Sequence, residues 1–170
     1  LNGVWNFSSG PAGTPTEWHP IAVPSEYTLG GGFRIPAGQP VSYTRNFYLP
    51  AAQAPAGARV KFRADGCYSQ CTVAVNGRPV GGHVGGFTPF ELDITTALAA
   101  SASGEHQITI ELVGQTFADG MAAGSRYAAH DLGGITRKVY LMILPSLSIA
   151  DVNYTATING GAATVAAGVT

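Results

Sequence analysis

Cys71-Thr72-Val73-Ala74-Val75-Asn76-Gly77-Arg78-Pro79-Val80 decides how the rest of the chain is read. Apolar residues alternate from Cys71 to Val75, which is the period of a strand with one face in a core and one in solvent. Asn76-Gly77 follows at once. Both residue types tolerate positive φ, so the pair is the strongest two-residue signal for a β-hairpin. Arg78-Pro79-Val80 then starts the return strand. Upstream, Arg59 to Ala64 shows the same alternation, as does Gln107 to Leu112 downstream. Further strands are expected over Val41–Leu49, Gly86–Leu92 and Ile135–Leu144, with Pro50, Pro55 and Gly57 punctuating the chain before Arg59. Helix signals are scarce, and the best is Asp93 to Ala100, where Asp93 or Thr95 can cap one short turn. Many short strands separated by Gly/Pro turns predict an all-β protein, an antiparallel sandwich or barrel.

The chain has 170 residues, enough to bury a full core. Its 9 Lys+Arg against 10 Asp+Glu form neither a basic stripe nor an acidic block. Nucleic acid is therefore not an expected partner. No apolar run approaches the roughly 18 residues that span a bilayer, so no membrane partner is expected either. Only 11% of residues are charged, while Gly numbers 23 and Pro 11. A surface whose polarity rests on hydroxyls, amides and backbone suits a secreted or periplasmic β protein, with any export signal outside this stretch. Cys67 and Cys71 lie four apart with no second pair, which argues against a zinc site. A local disulfide and two buried reduced thiols both stay open.

A boundary is expected near Pro145. Val139 to Leu144 is a dense apolar strand. Leu147 to Ile158 then reads as a new strand, Asn159-Gly160-Gly161 as a hairpin turn and Ala162 to Val169 as the return. A two-stranded hairpin is marginal alone in water. The sequence thus divides into a first domain, 1–145, and the opening strands of a second β domain, 146–170.

Five blocks, in order, resemble family 2 glycoside hydrolases: the β-galactosidases, β-glucuronidases and β-mannosidases. Leu1-Asn2-Gly3-Val4-Trp5 with Ile21-Ala22-Val23-Pro24 is similar to the opening of their sugar-binding domain. Tyr43-Thr44-Arg45-Asn46-Phe47-Tyr48-Leu49-Pro50 resembles their Tyr-x-Arg-x-Phe-x-Leu-Pro strand. Val73 to Gly81 resembles their Val-x-Asn-Gly hairpin. His83 to Phe90 with Asp93-Ile94-Thr95 matches the segment after it. Gly133-Gly134-Ile135-Thr136-Arg137-Lys138-Val139 resembles the Gly-Ile-x-Arg-x-Val block that closes the domain. The resemblance covers residues 1 to about 145. It implies a jelly-roll β-sandwich of the galactose-binding-domain type, then an immunoglobulin-like domain, then a (β/α)₈ barrel that carries two catalytic glutamates. On that reading this stretch is the non-catalytic N-terminal domain of an exo-acting, β-galactosidase-like enzyme. Its partners are a β-linked glycoside and the chain's own downstream domains. The alternative is an autonomous carbohydrate-binding module.

The residues themselves offer no catalytic set. Retaining glycoside hydrolysis needs two carboxyl groups about 5 Å apart, and the ten acids show no convergent pair. The histidines have no metal-like spacing, and no Gly-x-Ser-x-Gly elbow occurs. Neither a metal nor another cofactor is expected. Phe47, Phe62, Val73, Val75, Phe90, Ile110 and Val139 are expected in the core, together with Trp5 and Phe87. Trp18 stays open between core and sugar platform, and Arg137 between an ion pair and a solvated charge. The long connection Phe117 to Gly134 stands out, since long loops in compact domains are often functional. In the family an acid on this loop reaches across to the barrel and contacts a sugar hydroxyl. Asp131 is the nearest match, although it lies closer to the Gly-Ile-x-Arg block than the family's acid does, and a plain turn-forming role stays open. Ser125-Arg126-Tyr127 resembles the Ser-Arg-Trp of other members. The substrate-binding candidates are thus Asp131, His130, Arg126 and Tyr127, with Arg34 on the Gly30–Pro40 loop as a second rim.

Overall fold

The structure is a computed structural model that describes residues 1–11, 14, 17–99, 103–114, 116 and 132–170. The strands are β1 (Gly3–Ser8), β2 (His19–Val23), β3 (Pro40–Tyr48), β4 (Arg59–Ala64), β5 (Gln70–Val75), β6 (Arg78–Val84), β7 (Phe90–Asp93), β8 (Glu105–Val113), β9 (Val139–Leu144), β10 (Val152–Asn159) and β11 (Ala162–Val169). Two short helices join them, α1 (Tyr27–Gly31) and α2 (Thr95–Leu98). One sheet has the order β2-β1-β3-β8-β5-β6 and a second the order β7-β4-β9; every pairing is antiparallel. The fold is an antiparallel jelly-roll β-sandwich.

Period two decides which side chains meet between the sheets. Along β8, His106, Ile108, Ile110 and Leu112 are buried, while Glu105 before them and Gln107 between the first two are exposed. Val41 and Tyr43 from β3, and Val73 and Val75 from β5, extend that inner layer. Val60 and Phe62 from β4, Phe90 from β7 and Val139 from β9 face it from the smaller sheet. Trp5 and Phe7 close one side, with the Phe7 ring edge-on to Tyr43 at 5.1 Å. The β5–β6 turn forms as read: Asn76 has φ 51° and Gly77 φ 74°. Only residues that tolerate the left-handed region fit two such positions in succession.

Several expectations need correction. Phe87 is not a core anchor: it is 66% exposed, because residues 86–88 form a bend and β7 begins only at Phe90. Phe47 is half-buried at the end of β3, where its ring lies against His106 at 5.3 Å. Residues 135–138 precede β9 as an irregular turn held by Thr136 and Arg137 N–H donations to the Gly66 carbonyl. Arg137 is consequently exposed, with no ion pair among the described residues; its methylenes lie over Gly66. Trp18 is partly exposed at 39%. Cys67 and Cys71 are buried free thiols, so of the two open alternatives the structure contains the reduced pair. The hydrogen bond to Cys71 and complete burial push the Cys67 thiol up, which keeps it protonated.

β10 and β11 pair with each other in full register, from Val152↔Val169 to Asn159↔Ala162. Alternation sorts their side chains. Val152, Tyr154, Ala156, Ile158, Ala163, Val165, Ala167 and Val169 share one face, and the other carries Asn153, Thr155, Thr157, Asn159 and Thr164. Every residue of both strands is exposed.

Candidate functional site

The end of the sandwich at Pro40 and Val113 gathers the loops that the sequence singled out. It is organised around α1. Glu26 caps this helix, its carboxylate accepting from Thr28 N at 3.0 Å and Leu29 N at 2.7 Å. Gly32 ends it, in the left-handed region. So short a helix acts as a wedge, inserting the Tyr27 ring into the end of the core, 6.0 Å from Phe7. The chain bearing Gly133 lies directly against that ring. A Cβ at Gly133 would stand 2.1 Å from Tyr27 Oη, and one at Gly114 2.6 Å from it. Neither position accepts a side chain without moving Tyr27.

Of the connection read as Phe117 to Gly134, residues 117–131 lie outside the described residues, and backbone hydrogen bonds hold the chain on either side of 115–131. At its exit, Tyr27 N donates to Gly133 O at 3.0 Å and Ser25 N to Ile135 O at 2.9 Å. On the other side Tyr68 N donates to Gly134 O at 2.9 Å. At its entrance, Gly38 N donates to Gly114 O at 3.4 Å and Ser69 N to Val113 O at 3.2 Å. The Ser69 and Thr116 hydroxyls approach to 3.4 Å. Beneath this mouth the Tyr43 hydroxyl is fully buried, the one such side-chain polar atom without a hydrogen-bond partner among the described residues. Burial pushes its phenol pKa well up, so it stays a neutral hydroxyl.

Arg34 is exposed beside this mouth, with no ion pair among the described residues. Its neighbour Phe33 anchors the segment, with ring centroids 4.5 Å from Phe7 and 5.4 Å from His19. Arg126, Tyr127, His130 and Asp131 lie outside the described residues. Sequence reasoning missed Tyr27 and Tyr68. The Tyr68 ring meets exposed Phe87 edge-on at 5.4 Å. The readable signal was the pairing of glycine runs, Gly30-Gly31-Gly32 and Gly133-Gly134, each marking a close approach to an aromatic ring.

The carboxylates of the smaller sheet serve as ion-pair partners. Glu91 takes Lys61 Nζ at 3.0 Å and Arg63 Nη1 at 2.7 Å, and these hydrogen bonds hold its pKa below the usual value. Asp93 is likewise lowered, by hydrogen bonds from Thr95 and Arg59. Groups held ionised in this way are poor proton donors at neutral pH. Among the described residues no cluster of three or more His, Cys, Asp or Glu forms a metal site.

Comparison with known proteins agrees with this architecture. Residues 33–145 match the family described as "Glycosyl hydrolases family 2, sugar binding domain". A β-glucuronidase of Paenibacillus borealis is 32% identical over 123 residues, covering 65% of this chain and 20% of that protein. A β-galactosidase of Thermoanaerobacter pseudethanolicus is 35% identical over 98 residues, covering 58% of this chain and 13% of that protein. The chain therefore spans a fifth or less of these relatives. Among solved structures, a β-glucuronidase of Ruminococcus gnavus superposes over all of this chain and 32% of its own, with a TM-score of 0.76 at 22% identity, a likeness of fold. With the family match spanning most of the sandwich, the chain belongs to the sugar-binding domain family of the family 2 glycosyl hydrolases.

Proposed function

We propose that this domain supports the catalytic barrel of an exo-acting β-glycosidase and lends residues of the 115–131 connection to its substrate pocket. The observation that carries the reading is the anchoring of that connection. The described residues on either side of it, 113–114 and 133–135, are hydrogen-bonded to neighbouring segments, and Arg34 is exposed on the segment between α1 and β3. On this reading Asp131, His130, Arg126 and Tyr127 meet a sugar held in a neighbouring domain. A carboxylate there accepts hydrogen bonds from sugar hydroxyls, and charge-assisted bonds are the stronger kind. The apolar face of β10–β11 suits the opening of a second β domain from residue 146, since a sheet face of that composition needs a partner layer. A secreted or periplasmic location belongs to the same reading, supported by the low charge content.

The test is kinetic. In the full-length enzyme, Asp131→Ala and Arg126→Ala should each lower kcat/KM by one or more orders of magnitude, about 1.4 kcal/mol per tenfold. Their melting temperatures should stay near wild type. Unchanged kcat/KM in both variants rejects the proposal.

A further inference from the structure

The opposite end of the six-stranded sheet carries a second cleft, lined among others by Asn46, Tyr48, Glu105, His106 and Gln107. β3 and β8 run antiparallel from Pro40↔Val113 to Tyr48↔Glu105. Eight steps of about 3.3 Å each place the Tyr48 end of this cleft roughly 26 Å from the mouth at Pro40. We propose that it is a binding site for a neutral saccharide, separate from the substrate pocket.

The register builds the surface. Tyr48 stands opposite Glu105, Asn46 opposite Gln107 and Thr44 opposite Thr109, so all six point to the solvent face. Tyr48 is 66% exposed, a ring available to stack on the apolar C–H face of a pyranose. Gln107 Nε2 donates to Asn46 Oδ1 at 3.1 Å. That bond aligns two amides and leaves the Gln107 Oε1 acceptor and both Asn46 Nδ2 protons for a ligand. Glu105 adds a carboxylate with no ion pair among the described residues. Vicinal sugar hydroxyls each donate and accept, which is the pattern these groups complement.

His106 braces this surface from behind: it is buried on the inner face with Ile108 and Ile110, opposite the face that carries Tyr48, Asn46 and Gln107. Asn76 Oδ1 accepts from Gln107 N at 3.0 Å, and Asn76 Nδ2 donates to Ala97 O at 3.0 Å. These two bonds fix the amide's orientation. The contact of Asn76 Nδ2 with His106 Nδ1, also 3.0 Å, must therefore be donated by the amide. The imidazole then carries its proton on Nε2, and burial lowers its pKa and keeps it neutral. No Lys or Arg lines the cleft. With Glu105 as its one formal charge, the site selects a neutral sugar over a uronate or a sulfated glycan.

The experiment titrates the 170-residue chain with cellotetraose, mannotetraose and galactotetraose, following amide chemical shifts by proton–nitrogen correlation spectra. An oligoglucuronate is the charged control. At least one neutral sugar should shift residues 46–48 and 105–107, with Kd on the order of 1 mM or tighter. Tyr48→Ala should weaken it about tenfold or more with an unchanged melting temperature, Tyr48→Phe should retain it, and Arg34→Ala should leave it intact. Absence of shifts with all three neutral sugars overturns the proposal. So does binding that survives Tyr48→Ala, or a preference for the oligoglucuronate. Glycosidase activity enters none of these readouts, so the outcome is independent of the role proposed for the 115–131 connection.

Discussion

Replacing Asn76 separates two demands that meet at one residue. Its φ of 51° asks for a residue that tolerates the left-handed region, and its side chain makes three hydrogen bonds, to Ala97 O, His106 Nδ1 and Gln107 N. At a net 0.5–1.5 kcal/mol each, those bonds contribute about 2–4 kcal/mol in a partly buried setting. Asn76→Ala loses all three and adds about 1 kcal/mol of backbone strain. Asn76→Gly loses the same three and removes the strain, yet costs about 0.5–1 kcal/mol through the entropy of the unfolded chain. The two variants should therefore fall within about 1 kcal/mol of each other, both at least about 2 kcal/mol below wild type. Urea unfolding followed by the fluorescence of buried Trp5 measures this. If the turn conformation alone mattered, Asn76→Gly would match wild type and Asn76→Ala would not. That pattern would refute the reasoning.

Stability should decline as pH falls below about 6.5, the ordinary histidine value, because burial lowers the folded-state pKa of His106. Between that value and the lower folded pKa the unfolded chain binds a proton that the folded one excludes, so the loss accumulates there and levels off beneath it. Denaturant midpoints across this range should show the slope, and His106→Leu should flatten it. Phe62→Ala removes a fully buried ring at the sheet–sheet interface, in contact with Phe90. It should cost about 3–5 kcal/mol in the same unfolding assay, and a loss below about 1 kcal/mol would contradict the strand phase. Amides of β10 and β11 should exchange with solvent faster than those of β3 and β8, since every residue of the hairpin is exposed. Equal protection would show that its apolar face is covered.

Period two and the Asn-Gly turn were sufficient for the strands that bury one face. β4, β5 and β8 could be read residue by residue, because alternation is imposed by local backbone geometry and leaves its mark in composition. The mark is weaker where a strand ends. Phe87 and Phe47 carry side chains as apolar as Phe62, yet the bend at 86–88 turns the first into solvent and the end of β3 leaves the second half covered. Only the packing of one segment on another settles such positions. The same holds for both candidate sites. Arg34 was legible as a charged residue in a glycine-rich loop, but its place beside the 115–131 connection depends on Tyr27 being held against Gly133 and Gly114, residues more than eighty positions away in the chain. Asn76 shows the division most plainly. Its sequence neighbour Gly77 announces a turn, because positive φ is a property of single residues. That its amide also orients His106 and ties the turn to Ala97 follows from the β5–β8 register and from α2 folding back over that end. Sequence by itself determined where the chain alternates and turns, through forces acting over a few residues. The tertiary structure alone decided which polar side chains share a face or a hydrogen bond, because those partners are brought together by burial of the core between two sheets.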